Sequence, residues 1–174
     1  MTRTLHLLRH AKSSWADQAL DDFDRPLNAR GRAAALSLAS YLRDVPIELV
    51  ICSPALRTRQ TLAPITVAIG PELAVVFAAE LYETSAERYL QVLQDRGEGA
   101  AHVLMVGHEP SISQLCHSLA GSASPDAVDR LRVKYPTGTL ATLSWDGTLW
   151  RDLSHGAAHL QSVIRPRDLL QQEE

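Results

Sequence analysis

The feature that most limits the fold of this chain is a repeated order of three parts: a short apolar run, a polar turn and an amphipathic stretch. Apolar runs at residues 5–8, 49–52 and 102–106 each begin such a unit. Runs of this length without alternation are typical of strands buried on both faces, which occur in parallel sheets covered by helices. The order therefore predicts a three-layer α/β fold, with a mostly parallel central sheet, helices on both faces and an antiparallel edge.

Local signals place the individual elements. Strands are predicted at residues 5–8, 49–52, 75–77, 102–106 and 139–145. Helices are predicted between them at residues 29–45, 54–69, 86–94 and 111–119, with a helical turn at 125–132. Asn28 is a suitable N-cap, Pro54 suits a first helical turn and Gly70 ends a helix. An Asp-Gly pair at 146–147 is typical of a hairpin turn, so residues 148–153 are predicted to form the second arm of the antiparallel edge.

Length and composition indicate one soluble globular domain covering residues 1–174, with 45% hydrophobic and 21% charged residues. The formal net charge of −3 argues against bulk binding of nucleic acid, although one local phosphate pocket remains compatible with it. His6, Arg9 and His10 interrupt the N-terminal apolar run, which excludes a signal peptide and a membrane span, so we expect a cytoplasmic protein. Cys52 and Cys116 are expected to be buried free thiols rather than a disulfide.

Residues with an affinity for phosphate follow three of the predicted strands. Arg9 and His10 end the first strand, Arg57 lies in the helix after the second, and His108 follows the run at 102–106. Because the carboxyl ends of parallel strands meet at one edge of a sheet, we expect these four residues to converge. Arginine guanidinium groups and free helix N–H groups bind phosphate oxygens, whereas the arginines would repel a cation. A phosphate site is therefore favoured over a metal site.

The end of the first strand is a geometric test of this prediction. Side chains alternate between the two faces of a strand, so Arg9 and His10 can share a pocket only if the strand ends near Leu8 and the backbone then turns. Taken alone, this stretch is equally compatible with a strand whose last residues are merely solvated. Neither a P-loop nor a dinucleotide-binding glycine motif follows any strand, so nucleotide hydrolysis and a dinucleotide cofactor are unsupported.

Four segments resemble, in the right order, motifs of the histidine phosphatase (phosphoglycerate mutase-like) superfamily. Residues 8–12, Leu-Arg-His-Ala-Lys, are similar to its R-H-G or R-H-A motif. Residues 53–61 resemble its S-P-x-x-R-x-x-Q-T motif, and residues 106–110 resemble its second-histidine motif. Residues 25–31 resemble the R-P-L-x-x-x-G segment of the SixA-type phosphohistidine phosphatase branch. The resemblance covers roughly residues 5–153, and four motifs in order are far more specific than R-H alone.

The resemblance implies a phosphatase in which His10 attacks phosphorus in line and becomes phosphohistidine, which water then hydrolyses. A histidine nucleophile must be neutral, and the positive charges of Arg9 and Arg57, together with His108, disfavour its protonated form. The same groups are expected to bind the oxygens of the transition state. No metal and no cofactor are then required.

Three further residues are candidates for the site. Glu80 lies just beyond the third strand, where the family can place a carboxylate that protonates the leaving group; the alternative is a solvated loop carboxylate. Ser14, in the turn after the first strand, and Arg25, in the R-P-L segment, are candidate substrate-binding residues. Four aspartates between residues 17 and 24 are interpreted as a solvated loop, the alternative being a rim that repels acidic substrates or attracts a basic partner.

The substrate is not determined by these residues. Residues 81–101 separate Glu80 from the next strand and are largely helical, which leaves little chain to cap the pocket, so an open site is predicted. An open site suits a phosphorylated protein such as a phosphorelay domain, which the SixA-type resemblance implies, but it also admits a small phosphoester. A mutase is less suited, because it must shield phosphohistidine from water. A module that recognises phosphate without turnover remains the alternative from another class.

Overall fold

The computed structural model describes residues 1–170, so the end of the predicted polar tail, up to Glu174, lies outside the described residues. The strands are β1 (Thr2–Arg9), β2 (Leu49–Cys52), β3 (Ala74–Phe77), β4 (His102–Gly107), β5 (Ala120–Ala123), β6 (Leu140–Asp146) and β7 (Ala158–Ile164). The helices are α1 (Ala29–Leu42), α2 (Leu56–Ile69), α3 (Ala86–Arg96), α4 (Ser111–Leu119), α5 (Pro125–Val133) and α6 (Pro166–Leu170). Single 3-10 turns occur at Asp22–Asp24, Ala79–Leu81 and Trp150–Asp152. Of the helices in residues 1–170, none is long and apolar enough to cross a membrane.

The seven strands form one mixed sheet in the order β3-β2-β4-β1-β6-β7-β5. Strands β3, β2, β4 and β1 are parallel to one another. Strand β6 is antiparallel to both β1 and β7, and β5 is parallel to β7. This arrangement confirms the predicted α/β class with a mostly parallel sheet and an antiparallel edge. It also brings the carboxyl ends of β1, β2 and β4 to one edge of the sheet.

Two hydrophobic clusters cover the two faces of the sheet, because successive strand residues point to opposite sides. Leu7 and Met105 belong to the cluster that includes the buried faces of α3 and α4. Leu8 and Val106, the next residues along the same strands, belong to the cluster that includes α1 and α2. The predicted three layers are therefore present. Cys52, in the second cluster, and Cys116, in the first, are buried free thiols, as expected.

The helix signals were accurate in most places. Asn28 caps α1, since its side-chain oxygen accepts a hydrogen bond from the Gly31 N–H at 2.9 Å. Gly70 ends α2 with a positive φ of 112°, a conformation that favours glycine. Pro54 precedes α2 by two residues instead of lying in its first turn, so that prediction was wrong. The predicted helical turn at 125–132 is the nine-residue helix α5.

The predicted hairpin arm at residues 148–153 is wrong. This segment contains a 3-10 turn, and Trp150 is buried at 1% exposure. Its indole N–H donates to the Ala100 carbonyl at 2.7 Å, which pulls the segment into the core instead of along the edge of β6. The antiparallel partner of β6 is instead β7, whose mixed polar and apolar sequence carried no clear strand signal. The four-residue strand β5 was missed as well.

Candidate active site

The four phosphate-binding candidates converge at the carboxyl edge of the sheet. Arg9 ends β1, one residue later than predicted, and His10 follows it; Arg57 lies in the first turn of α2, and His108 follows β4. The imidazole rings of His10 and His108 have centroids 5.3 Å apart. His10, Arg57 and His108 are buried, and Arg9 is half-buried. Each of the other three lies close enough to His10 to lower its pKa.

His10 has a defined tautomer. Its Nδ1 atom lies 2.8 Å from the Ala11 carbonyl oxygen. A carbonyl oxygen can only accept a hydrogen bond, so Nδ1 carries the proton and Nε2 retains a free lone pair. Burial lowers the pKa of His10 to about 3, against the opposing effect of the Ala11 hydrogen bond and with help from His108, Arg57 and Arg9. His10 is therefore neutral near pH 7, with an unprotonated Nε2.

His108 has the same Nδ1–H tautomer, but its hydrogen-bonded nitrogen is the acceptor Nε2 instead of the donor Nδ1. Its Nε2 atom lies 2.8 Å from the Ser53 hydroxyl, and within residues 1–170 that hydroxyl has no other acceptor. Ser53 is therefore assigned as the donor, which leaves the proton of the neutral ring on Nδ1. Burial and the nearby Arg57 charge lower the pKa of His108 to about 4. The Nδ1–H group of His108 is buried and has no partner among the described residues.

Three buried N–H donors of this site have no partner within residues 1–170: Arg9 Nε, Arg57 Nε and His108 Nδ1. Other such atoms lie away from the site, for example Arg3 Nε and His6 Nε2. A buried donor without an acceptor is costly, so three of them around one histidine indicate a ligand that supplies several acceptor oxygens. A phosphate dianion has these oxygens, and guanidinium groups match its geometry.

The beginning of α2 connects the other segments of the site. Thr61 Oγ1 accepts a hydrogen bond from the Ala11 N–H at 3.0 Å and donates to the Arg57 carbonyl at 2.7 Å. Gln60 Oε1 accepts from the Leu27 N–H at 2.8 Å. Together with the contact of Ser53 to His108, these bonds tie the first strand end, the R-P-L segment and the loop after β4 to one helix. This accounts for the spacing of the S-P-x-x-R-x-x-Q-T segment.

Asp22 belongs to the site, although its sequence context gave little sign of it. Its backbone carbonyl accepts from Arg57 Nη1 at 2.6 Å, and its carboxylate oxygens lie 3.0 Å from Arg57 Nη2 and 3.0 Å from Arg25 Nε. The Tyr82 hydroxyl donates to the same carboxylate at 2.7 Å. Burial alone would raise the pKa of Asp22, but these hydrogen bonds and the charge of Arg57 lower it to about 2.

The interpretation of the acidic segment as a solvated loop was therefore wrong for Asp22. It holds for the other three aspartates, Asp17, Asp21 and Asp24, which are exposed like Asp22 but form no ion pair within residues 1–170. The one available signal was that Asp22 lies three residues before Arg25, a spacing that allows an ion pair in a helical turn.

The remaining candidates, Arg25, Ser14 and Glu80, differ in the residues that they contact. Arg25 is buried, donates to Ser13 Oγ at 2.7 Å and contributes to the lowered pKa of His108. Ser14 supports Arg25 through its backbone carbonyl at 3.3 Å, while its hydroxyl accepts from the Ala16 N–H. Glu80 forms an ion pair with Arg96 at 2.5 Å. The residue of this segment that packs against His108 is Tyr82, with ring centroids 5.5 Å apart.

Taken together, the fold and the site define a class of α/β protein with a cationic pocket suited to a phosphate-sized anion beside a neutral histidine. Comparison with known proteins agrees with this class. The model of the histidine phosphatase superfamily (branch 1) matches residues 5–94, slightly more than half of the chain. The chain belongs to this superfamily, in its SixA-type branch, and is a phosphatase.

Similar proteins support the branch. A solved structure from Nakamurella multipartitia, which carries the provisional name phosphohistidine phosphatase SixA, is 37% identical with a TM-score of 0.81, covering 95% of this chain and 97% of that one. The phosphohistidine phosphatase SixA of Escherichia coli is 32% identical over 129 residues, which is 68% of this chain and 75% of that protein. An uncharacterised protein of Mycobacterium tuberculosis is 35% identical over 164 residues, covering 92% of this chain and all of that protein.

Proposed function

We propose that the chain hydrolyses phosphohistidine in proteins through a covalent phosphohistidine intermediate on His10, without a metal ion. In the first step His10 Nε2 attacks phosphorus in line, the new N–P bond forms, and the N–P bond to the substrate imidazole breaks as that imidazole takes up a proton from water. In the second step water attacks the same phosphorus, the bond to His10 breaks, and inorganic phosphate leaves. His10 ends the cycle neutral and ready for another turnover.

The observation that carries this proposal is the state of His10. A nucleophilic imidazole needs one nitrogen without a proton, and the hydrogen bond from Nδ1 to the Ala11 carbonyl leaves Nε2 as that nitrogen. Burial and the surrounding positive charge keep the ring neutral, with a pKa lowered to about 3. Nucleophile and charge-stabilising groups are therefore assembled before substrate binds.

The proposed roles of the other residues follow from their donors. Arg9, Arg57 and the Nδ1–H of His108 bind the equatorial oxygens, on which negative charge is spread in the transition state. Asp22 is a positioning residue, because its carboxylate and carbonyl orient the Arg57 guanidinium. Arg25, supported by Ser14, is proposed to bind substrate by adding positive charge beside His108, whose pKa it helps to lower.

Glu80 as the proton donor to the leaving group stays a prediction. Its carboxylate is engaged by Arg96, so it would have to leave that ion pair to reach a substrate. An imidazole leaving group needs less help than an alkoxide, because it is readily protonated in water near neutral pH. A Glu80→Gln variant that still releases imidazole at the normal rate, but hydrolyses alkyl phosphates slowly, would locate its role.

Two observations favour a protein substrate. Between Tyr82 and Ala101 helix α3 occupies residues 86–96, so little chain is left to cap the pocket. The Escherichia coli relative is named a phosphohistidine phosphatase. A small phosphomonoester is the second candidate substrate, and recognition of phosphate without turnover is the candidate from another class.

Trapping the intermediate tests the reaction. After brief exposure to a generic phosphoester, the protein should carry an acid-labile, base-stable phosphoryl group on His10, and His10→Ala should have neither this group nor turnover. His159→Ala, a histidine remote from the site on β7, is the matched control and should behave like the wild type. Turnover in His10→Ala contradicts the mechanism, and reversible binding alone supports the recognition module.

Rates on different substrates test the substrate class. The rate on a phosphohistidine-containing protein should exceed the rate on small phosphoesters by at least about tenfold, which corresponds to about 1.4 kcal/mol of transition-state binding. A smaller preference would favour the small phosphomonoester.

A further inference from the structure

We propose that an exposed face beside the site docks the protein that carries the phosphohistidine and selects one whose surface is basic around the phosphorylated side chain. This face, called the Trp15 face, consists of Trp15, Asp17, Leu20, Asp21 and Asp24. The inference rests on the proposed function, since it concerns the part of the substrate that lies outside the phosphate pocket.

Trp15 is exposed but held in place. Its side chain is 70% exposed, and the guanidinium carbon of Arg25 lies 3.6 Å from the centre of its indole ring. Leu20, five residues further on, is 39% exposed. A large aromatic side chain that is both exposed and fixed by a cation–π contact loses little conformational freedom on binding, and tryptophan is among the residues that contribute most at protein interfaces.

The Trp15 face is continuous with the phosphate pocket. From Trp15 the contacts run through Arg25 to Asp22, and from Asp22 to the Arg57 guanidinium. A second route runs from Phe23 to Tyr82, with ring centroids 5.1 Å apart, and from Tyr82 to His108. A phosphorylated side chain held by Arg57 and His108 therefore brings the rest of its protein against this face.

The charge of the face indicates which protein fits. Residues 13–24 contain four aspartates and neither lysine nor arginine. Asp22 is paired with Arg25 and Arg57, whereas the exposed Asp17, Asp21 and Asp24 form no ion pair within residues 1–170. Three exposed carboxylates repel a free phosphoester dianion and attract a cationic surface. The pocket is thus positive and its rim negative, which suits a phosphoryl group presented by a basic surface.

Three substrates distinguish effects on the phosphate pocket from effects on the Trp15 face. Two phosphohistidine peptides of equal length, one flanked by lysine and arginine and one by glutamate and aspartate, are compared with p-nitrophenyl phosphate, which is too small to reach Trp15 from the pocket. At low salt, kcat/KM for the basic peptide should exceed that for the acidic peptide by at least about tenfold, and added salt should reduce this ratio.

Two variants of the face test the residues. Trp15→Ala should lower kcat/KM for the basic peptide by about tenfold, the effect of losing one aromatic contact at an interface. The triple variant Asp17→Asn, Asp21→Asn and Asp24→Asn should bring the two peptides within about twofold of each other, since the charges that discriminate them are gone. In high salt, which screens the repulsion between the aspartates and a free phosphoester, both variants should leave kcat/KM for p-nitrophenyl phosphate within about twofold of the wild type, because neither changes a group of the pocket.

Matched controls come from the opposite edge of the sheet. Asp44, Glu72 and Asp95 are exposed and lie shortly before β2, β3 and β4, at the amino ends of those strands. The triple variant Asp44→Asn, Glu72→Gln and Asp95→Asn removes the same charge and should keep the preference for the basic peptide. Val67→Ala, an 83% exposed apolar residue near the end of α2, is the control for Trp15→Ala.

The outcomes distinguish failure of the proposed function from failure of the proposed Trp15 face. If wild-type protein hydrolyses p-nitrophenyl phosphate but neither peptide, the proposed function fails. If both peptides are hydrolysed at equal rates, or if Trp15→Ala slows p-nitrophenyl phosphate as much as the peptides, the proposed function holds and the Trp15 face is overturned; in the second case Trp15 acts only by supporting Arg25. Loss of the preference in the opposite-edge control also overturns it. Circular dichroism of each variant establishes that it is folded.

Discussion

Two halves of this molecule contain the same pair of side chains in different surroundings. The motif half comprises β1 to β4 with α1 to α4, and the edge half comprises β5 to β7 with α5 and α6. In the motif half Ser53 contacts His108 at 2.8 Å, and in the edge half Ser122 contacts His159 at 2.8 Å. The first pair is buried beside three cationic or titratable groups, and the second lies at the surface. In the first pair, burial and the nearby Arg57 charge lower the pKa of His108, and its buried Nδ1–H has no partner within residues 1–170.

The ion pairs of the two halves differ in the same way as the serine–histidine pairs. Asp22 joins two arginines in the motif half, Arg25 and Arg57, each at 3.0 Å. Asp168 joins two arginines in the edge half, Arg130 at 2.6 Å and Arg165 at 3.4 Å. The Asp22 network ends at the histidines, whereas the Asp168 network ties α5 to α6. Identical pairs therefore serve chemistry in one half and structure in the other, because burial and convergence determine what a charge can do.

The largest difference is expected between two arginines. Arg57→Ala removes a buried guanidinium from the phosphate pocket and should lower kcat/KM about a hundred- to a thousandfold, or about 2.7 to 4 kcal/mol. Arg130→Ala breaks the corresponding ion pair of the edge half and should change kcat/KM less than about twofold, because its hydrogen-bond partners within residues 1–170, Asp168 and the Val163 carbonyl, both lie in the edge half. Steady-state kinetics on p-nitrophenyl phosphate measures both. Equal losses in the two variants would remove the distinction between the halves.

The edge half should instead govern stability. Trp150, which precedes β7, is 1% exposed and packs on Trp145 with ring centroids 5.9 Å apart. Trp150→Ala should lower the free energy of unfolding by about 3 kcal/mol or more, through the cavity and the lost indole hydrogen bond, while kcat per folded molecule stays normal. Urea titration gives the first quantity and active-site titration the second. Val67→Ala, at a position that is 83% exposed, is the control and should change stability by less than about 0.5 kcal/mol.

A smaller effect separates the two serine–histidine pairs. Ser53→Ala removes the hydroxyl that keeps the proton of His108 on Nδ1, so kcat should fall about ten- to a hundredfold with little change in KM. The ¹⁵N shifts of the His108 ring should change from a single Nδ1–H tautomer to a mixture. Ser122→Ala should alter neither kcat nor KM, since its partner His159 lies outside the site. An unchanged His108 spectrum in Ser53→Ala would show that Ser53 does not set the tautomer.

The smallest effect is a pH dependence. The pKa values of His6, His10 and His108 are lowered to about 4, 3 and 4, mainly by burial, so below pH 6.5 the unfolded chain binds protons that the folded chain does not. The free energy of unfolding should therefore fall as pH decreases from about 6.5 towards 4. Denaturant titrations across this window measure the slope.

Two variants test whether the pH dependence of stability comes from buried histidines in general or from the catalytic histidine alone. His6 contacts Thr142 of β6 at the junction of the halves, and His6→Gln should reduce the slope by up to one proton while activity is retained. His10→Gln should reduce it similarly and abolish turnover. If neither variant changes the slope of the free energy of unfolding against pH, the assignment of neutral, buried imidazoles is contradicted.

The motif half was largely predictable, whereas in the edge half α5 and β6 were predicted but β5 and β7 were not. Helix α4 occupies the same residues that its pattern predicted, and β2 does as well. Strands buried on both faces must be apolar throughout, so their sequences identify them. Strand β7 alternates polar and apolar residues and β5 is only four residues long, so neither has a distinctive local signal. Their pairing depends on partners far away in the chain.

Within the site, the convergence of Arg9, His10, Arg57 and His108 followed from the order of strands and turns. Asp22 was not recognised because its partner Arg57 is 35 residues away, and nothing local distinguishes it from the exposed aspartates around it. The contact requires the loop after β1 to fold back over the start of α2, which a sequence pattern does not specify.

The sequence by itself determined the α/β class, the family and the residues that meet at one edge of the sheet, because apolar period, turn chemistry and motif spacing are local properties of the chain. Only the tertiary structure decided the protonation state of His10, the tautomer of His108 and the distinction between Asp22 and its neighbours. Those properties depend on burial and on hydrogen bonds between segments remote in sequence, such as His10 beside Arg57 and Ser53 beside His108. The protonation state and tautomer of a histidine depend on the local dielectric and on the nearest hydrogen-bonding groups, and both are determined only after the chain has folded.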